Sequence, residues 1–234
     1  MIDNLIELDK ELLLFLNGSN STFLDSFMFI HTNTWTWIPF VLLLFYVILR
    51  SNKLKEALLI FATLGVIIAL TDAVSSGFCK PYFHRFRPTH DPDMMNLVQI
   101  VNHYKGGSYG FISGHATNSF GIMVFLCLLI KNKWFTFGGL FWAMLHSYTR
   151  IYLGVHFPGD ILAGMLVGTL LGLISYGIYR KIYQLLFIRK SYYSPYLMKN
   201  RYHERDIQVL MSLLAFTYIC IIGLSAFTDV YTLI

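Results

Sequence analysis

Six stretches of the chain are apolar and almost free of charge. They run approximately Thr34 to Leu49, Ala57 to Phe78, Phe111 to Ile130, Trp134 to Tyr148, Ile161 to Tyr179 and Ile207 to Phe227. A helix needs about 20 apolar residues to cross the hydrocarbon core of a bilayer. Each stretch is therefore a candidate span, two of them shorter than that length. Ahead of the first, Ile2, Leu5, Ile6, Leu12, Leu13 and Leu16 recur at helical spacing with Asp3, Glu7, Lys10 and Glu11 between them. This pattern predicts an amphipathic helix lying on a membrane surface. It lacks the basic start, long apolar core and small-residue cleavage site of a secretory signal, so it is expected to remain in the mature protein. The fold class expected is all-α: a polytopic helical membrane protein with about six transmembrane helices and an N-terminal amphipathic helix. Nothing resembling a linker, a low-complexity tract or an internal repeat divides the chain. A single domain over residues 1–234 is expected, its motif-bearing core at about 57–180.

Composition agrees with that pattern. Of 234 residues, 56% are hydrophobic, 17% aromatic and only 13% charged, against about 25% charged in an ordinary soluble domain. Cys79, Cys127 and Cys220 lie far apart without C-x-x-C spacing, which indicates neither a zinc site nor a disulfide framework. They read as packing residues.

The basic residues orient the chain. Of the 18 Lys and Arg, twelve fall in Arg50 to Glu56, Lys131 to Lys133 and Arg180 to Arg205, all on one side of the six spans. Lys10, Lys80, Arg85, Arg87, Lys105 and Arg150 fall on the other. Positive charge accumulates in cytoplasmic loops, so the first side is expected inside and the second outside a bacterial-type inner membrane. The net charge of +5 is thus mainly an orientation signal, and no base-reading motif supports nucleic-acid binding. Between Arg180 and Arg205, Tyr183, Tyr192, Tyr193, Tyr196 and Tyr202 accompany the basic residues, a composition suited to anchoring at the membrane interface.

Three polar stretches fall on the outer side: "KPYFHRFRP" from Lys80 to Pro88, "FISGHATNSF" from Phe111 to Phe120, and "TRIYLGVHFPGD" from Thr149 to Asp160. Together they would bring Lys80, Arg87, Arg150, His115, His156 and Asp160 to one face. Three cations beside a helix N-terminus describe a site for a multiply charged anion such as phosphate. Ser113 suits the N-cap, and the backbone N–H groups at Gly114 and His115 would point at bound oxygens. The planar forks of Arg87 and Arg150 match phosphate geometry, and Lys80 adds a compact charge. Pro158 favours the first turn of a helix, which puts His156 just outside it and Asp160 inside. A carboxylate there would accept a hydrogen bond from one ring nitrogen and leave the other free to attack phosphorus. His115 is then the expected proton donor to the leaving oxygen. No Asp, Glu or His cluster suggests a catalytic metal, and no cofactor is expected. His84 and Arg85 are expected to play supporting roles at most.

These stretches resemble the motifs of the type 2 phosphatidic acid phosphatases, membrane relatives of the vanadium haloperoxidases and certain bacterial acid phosphatases. The first family motif, Lys, six residues, Arg-Pro, matches Lys80 to Pro88. The second, Pro-Ser-Gly-His, is approximated by Ile112 to His115, and the third, Ser-Arg, five residues, His, three residues, Asp, by Thr149, Arg150, His156 and Asp160. The resemblance implies metal-independent hydrolysis through a phosphohistidine on His156, with His115 as acid. Ile112 in place of proline should change loop stiffness rather than chemistry. Thr149 in place of serine keeps the hydroxyl and adds a methyl group to the pocket.

The resemblance further implies a membrane lipid phosphate or diphosphate as substrate. Undecaprenyl diphosphate and lipid A phosphates are favoured, with phosphatidic acid and phosphatidylglycerophosphate as alternatives; no obligatory protein partner is evident. Two rival classes share these residues. A transporter would use Asp72 and Arg150 as an intramembrane relay, and a haloperoxidase-like enzyme would fill the same pocket with vanadate. Asp72 is expected to pair with Lys80 or Arg150 behind the site. Asn118 and Ser119 face either substrate or a neighbouring helix, and His146 may be set aside as lining the same cavity.

Overall fold

A computed structural model describes residues 2–19, 21–187 and 201–232. The helices in chain order are α1 (Ile2–Leu16), α2 (Thr22–Thr32), α3 (Ile38–Ser51), α4 (Leu54–Asp72), the single-turn α5 (Lys80–Phe83), α6 (Gly114–Ile130), α7 (Lys133–Tyr152), α8 (Pro158–Phe187) and α9 (Glu204–Thr232). Among the described residues the regular structure is helical, apart from one isolated antiparallel bridge between Phe86 and Tyr109.

Among the described residues, four segments are long and apolar enough to cross a membrane: Thr34–Ser51, Leu54–Phe83, Pro158–Phe187 and Glu204–Thr228. This is fewer than the six apolar runs suggested. The third run shortens because Phe111 to Ser113 belong to the preceding loop, leaving α6 with 17 residues. The fourth, α7, spans 20 residues but carries His146, Ser147, Thr149 and Arg150, all buried, in its second half. A helix enclosed by other helices can carry such residues because its neighbours, rather than lipid, surround them.

The second span is uninterrupted in a different way. Between α4 and α5 the chain winds as a π-helix over Ala73–Cys79, a geometry often associated with functional sites. One helix was missed by the hydrophobic pattern. The 11 residues of α2 are capped by the Ser21 side chain, which accepts from the Leu24 N–H at 3.3 Å. Its buried His31 hid it from a search for purely apolar faces.

The main packing contact joins α6 to α8. Gly164, Gly168 and Gly172 recur every fourth residue on the contacting face of α8. A Cβ at Gly164 would lie 2.8 Å from the Ser113 carbonyl oxygen, and one at Gly172 would lie 2.7 Å from that of Gly121. At Gly168 it would collide with the Thr117 backbone. Only glycine permits the two backbones to approach this closely, a common device where lipid supplies no hydrophobic drive between helices. The close approach brings the N-termini of α6 and α8 together, and the Ser113 N–H donates to the Asp160 carbonyl oxygen at 3.1 Å. The C-terminal ends of α5 and α7 reach the same end of the bundle. An apolar core that includes Ile48, Ile60, Ile67, Phe125 and Leu126 fills the middle.

The amphipathic α1 exposes Leu5, Ile6, Leu8, Leu12 and Phe15 while burying Leu13. It docks on α7 and α8. The three cysteines are free. Of the interfacial aromatic stretch predicted between Arg180 and Arg205, Tyr192, Tyr193 and Tyr196 lie outside the described residues; Tyr183 and Tyr202 are both buried.

Candidate active site

The loop Leu153–Phe157 turns the chain from α7 into α8. Gly154 makes that turn at φ +74°, a backbone conformation that favours glycine. Pro158 then opens α8, and Asp160 lies in its first turn. His156 and Asp160 are both fully enclosed, with 3.2 Å between Nδ1 and Oδ2. The same Oδ2 accepts the Phe157 backbone N–H at 3.2 Å. A carboxylate on Nδ1 selects the tautomer protonated there and leaves Nε2 as the nucleophilic nitrogen. Burial pushes the His156 imidazole well below its usual range, and the charges of Arg87, Arg150, Lys80 and Arg85 push it further. Its ring is therefore neutral, the form that attacks.

Lys80, Arg87 and Arg150 surround this histidine without a carboxylate of their own. Arg87 donates from Nε to the Tyr109 carbonyl oxygen and from Nη1 to that of Val155, both at 3.2 Å. Burial holds its guanidinium below the usual arginine range, helped by the charge of Arg150. Arg150 donates to the Thr32 hydroxyl at 2.9 Å and the Tyr104 hydroxyl at 3.2 Å, and lies 5.2 Å from the centre of the Tyr104 ring. Its buried Nε has no partner among the described residues. Lys80 donates to Ser76 Oγ at 3.0 Å.

Ser113 caps α6 and accepts from the Ala116 N–H at 3.5 Å. Ser75, Ser76 and Lys80 converge on the next residue. A Cβ built on Gly114 would lie 3.3 Å from Ser75 Oγ and 3.9 Å from Lys80 Nζ. Ser75 Oγ is buried without a partner among the described residues. Glycine at this position leaves room for an anion over the start of α6.

His115 lies within electrostatic reach of Arg150, His156 and Arg87. Its ring stacks on His146 at 5.6 Å, and His146 stacks on Trp142 at 5.0 Å. The structure thus brings together Lys80, Arg87, Ser113, Gly114, His115, Arg150, His156 and Asp160.

Other expectations need correction. Asp72 is exposed at the end of α4 and, among the described residues, forms no ion pair with Lys80 or Arg150; its charge reaches Lys80 only at longer range. Thr149 donates its hydroxyl proton to the His146 carbonyl oxygen at 2.7 Å. Asn118 accepts from the Thr71 hydroxyl and so joins α6 to α4, whereas Ser119 donates back to the His115 carbonyl oxygen of its own helix at 2.8 Å. His84 is exposed, in the left-handed conformation that ends α5.

Arg85, expected in a supporting role at most, holds Asp160 Oδ1 at 2.9 Å. Thr32 and Tyr104 were missed as neighbours of Arg150, while His146, read as lining the cavity but left out of the site, stacks on His115. The one available sequence signal was the four-residue spacing of His146 from Arg150, which stacks them on one helix face. Among the described residues, no group of three or more His, Cys, Asp or Glu is arranged to hold a metal ion.

Comparison with known proteins gives a consistent picture. Residues 60–184 match the family model described as the PAP2 superfamily. A lipid A 4'-phosphatase of Bacteroides thetaiotaomicron is 38% identical over 183 residues, covering 78% of this chain and 81% of the relative. The lipid A 4'-phosphatase of Porphyromonas gingivalis is 37% identical, covering 76% of this chain and 75% of its own. An undecaprenyl-diphosphatase of Sulfolobus acidocaldarius is 30% identical, covering 65% and 70% respectively. In fold, the chain resembles the crystal structure of a transmembrane PAP2-type phosphatidylglycerolphosphate phosphatase from Bacillus subtilis. The TM-score is 0.57 at 21% identity, covering 82% of this chain and 89% of that one.

Proposed function

Since the chain belongs to the PAP2 superfamily and is an integral membrane lipid phosphatase, we propose that it removes a phosphate monoester from a lipid A-type glycolipid through a phosphohistidine on His156. The observation that carries this reading is the set of three cations around a neutral His156, namely Lys80, Arg87 and Arg150, whose direct hydrogen bonds among the described residues go to carbonyls and hydroxyls. Their uncompensated charge suits a dianionic phosphate. The α6 N-terminus adds further donors.

In the first step His156 Nε2 forms a bond to phosphorus as the bond to the lipid oxygen breaks. His115 gives that oxygen its proton, and Asp160 stabilises the imidazolium through Nδ1. Water then attacks the phosphohistidine, giving up a proton to His115 and returning His156 to its neutral form. The cations hold the equatorial oxygens throughout. No step calls for a metal ion.

This reading includes a six-span topology. With 17 residues, α6 is about 26 Å long, close to the thickness of the hydrocarbon core, and α7 is longer. The asymmetry of basic residues supports a site on the outer face of a bacterial inner membrane. There a lipid's chains can stay in hydrocarbon while its phosphate enters the cationic pocket. The similarity to the two lipid A 4'-phosphatases favours the glycolipid monoester. Undecaprenyl diphosphate is the second reading, favoured by the archaeal relative.

The test is phosphate release by the purified protein with excess chelator, over lipid A phosphates, undecaprenyl diphosphate, phosphatidic acid and phosphatidylglycerophosphate. Highest kcat/KM on a lipid A monophosphate is expected. Preference for the diphosphate would select the second reading, and activity only after added magnesium would overturn the mechanism.

A further inference from the structure

Asp160 has a second partner besides His156, and that partner leads out of the site to α1. Arg85 donates from Nη1 to Asp160 Oδ1 at 2.9 Å and from Nη2 to Asp9 Oδ2 at 2.6 Å. The other oxygen of Asp9 accepts the Gly159 N–H at 2.7 Å, a free donor at the start of α8. The Arg85 guanidinium carbon lies over the Phe157 ring, 4.3 Å from its centre. Asp9, Arg85, Asp160 and His156 therefore form one unbroken chain of charge-assisted hydrogen bonds. It begins on an amphipathic helix whose other faces expose Leu5, Ile6, Leu8 and Leu12.

Docking of α1 does not by itself explain this arrangement. The helix and its C-terminal end are also held by Lys10 to Asp93 at 2.9 Å, Asn17 to the Tyr152 carbonyl oxygen at 2.8 Å, and the Tyr148 hydroxyl to the Leu16 carbonyl oxygen at 3.2 Å. Asp9 instead meets the guanidinium on which Asp160 depends. The side chains of Asp9 and Arg85 are only 13% and 27% exposed, so water screens the contact weakly.

We propose that Asp9 and Arg85 are positioning residues for the reaction, and that the N-terminal helix contributes to it through Asp9. Arg85 fixes the orientation of the Asp160 carboxylate, so that Oδ2 stays on His156 Nδ1. Asp9 anchors Arg85 and shares its charge, which leaves Asp160 enough negative charge to stabilise the imidazolium. The inference rests on His156 being the nucleophile.

The experiment measures single-turnover phosphoenzyme formation by the full-length protein on a lipid monophosphate, together with KM and inhibition by inorganic phosphate. Asp9→Asn should slow formation about tenfold or more, with KM and the phosphate inhibition constant within about twofold of wild type, because the phosphate pocket is untouched. Arg85→Gln should lose at least as much, and Arg85→Lys should recover part of it. In the Arg85→Gln background Asp9→Asn should add less than about twofold, since its effect travels through Arg85. Lys10→Ala, which cuts the ion pair to Asp93 on the same helix, should run at the wild-type rate.

A wild-type rate for Asp9→Asn, equal losses in both backgrounds, or a parallel rise in the phosphate inhibition constant would overturn the proposal. Should Arg85→Gln not fold, the Asp9→Asn split between rate and phosphate inhibition, against Lys10→Ala, decides alone. Phosphoenzyme formation that survived His156→Ala would sink the reading of the nucleophile instead. An essential His156 with a silent Asp9 would sink only the relay.

Discussion

The bundle buries polar clusters at both ends, and the two are built on opposite principles. At the end away from the active site, Glu56 Oε1 accepts the Tyr183 hydroxyl at 2.8 Å and Oε2 accepts Arg201 at 2.8 Å. Arg201 also bonds Tyr183 and lies over its ring, while Arg50 pairs with Asp206 at 3.3 Å. Each of these carboxylates meets a cation, and the cluster ties α4 and α8 to the residues leading into α9. At the active-site end, Arg85 bonds two carboxylates, Asp9 and Asp160. Lys80, Arg87 and Arg150 are left with neutral acceptors. A buried cation on a carboxylate is electrically complete, whereas one on carbonyls and hydroxyls keeps its charge for a ligand. Burial alone does not distinguish a structural cluster from a site; the state of compensation does.

Substitutions at the two ends should separate along this line. The largest effect is expected for His156→Ala, which removes the nucleophile and should abolish turnover of every substrate. Turnover above the uncatalysed rate would remove the phosphohistidine from the mechanism.

His115→Ala should cost about 100- to 10,000-fold on lipid monophosphates, the usual worth of a general acid. The loss should be distinctly smaller on aryl phosphates, whose leaving groups need less help. Equal losses in phosphoenzyme formation would reduce His115 to a binding residue and make its stacking on His146 the feature to examine.

At the opposite end, Glu56→Gln leaves Arg201 without its counter-charge and should destabilise the protein by about 1–3 kcal/mol. Thermal unfolding in detergent would show this, with turnover per folded molecule unchanged. A fall in kcat matching that of a site variant would erase the distinction between the ends.

The smallest effect concerns pH. His156 is neutral in the folded protein but protonates near 6.5 once unfolded. Above that pH both states are neutral and stability is unaffected. As pH falls below it the unfolded chain gains a proton that the native state refuses, so stability declines by up to about 1.4 kcal/mol per pH unit. Unfolding midpoints measured from pH 7 to 5 should fall more steeply for wild type than for His156→Gln, and parallel slopes would mean that the native ring is protonated.

Much of this protein is written locally. Apolar runs mark helices because a bilayer satisfies no backbone polar group, so each spanning segment must be long and self-bonded. Ser113 before Gly114, and Pro158 two residues after His156, announce helix starts through caps and fixed dihedrals. The spacing from His156 to Asp160 puts both at one helix terminus. Those rules act over a few residues, which is why the main site chemistry was legible before any fold was known.

The remaining features depend on distance in space. Whether Asp72 meets Lys80 was decided by the packing at the end of α4, which leaves Asp72 exposed and which residue spacing does not encode. The glycines of α8 could be counted in the sequence, but only their fit against the backbone of α6 shows that they draw two helix N-termini together. Arg85 reads as one more basic residue near a span end until Asp9, 76 residues away, and Asp160, 75 residues away, converge on it. Sequence determined which groups could react. Tertiary structure decided which charges are neutralised and which stay free, because compensation depends on separations of about 3 Å between segments that no local pattern relates.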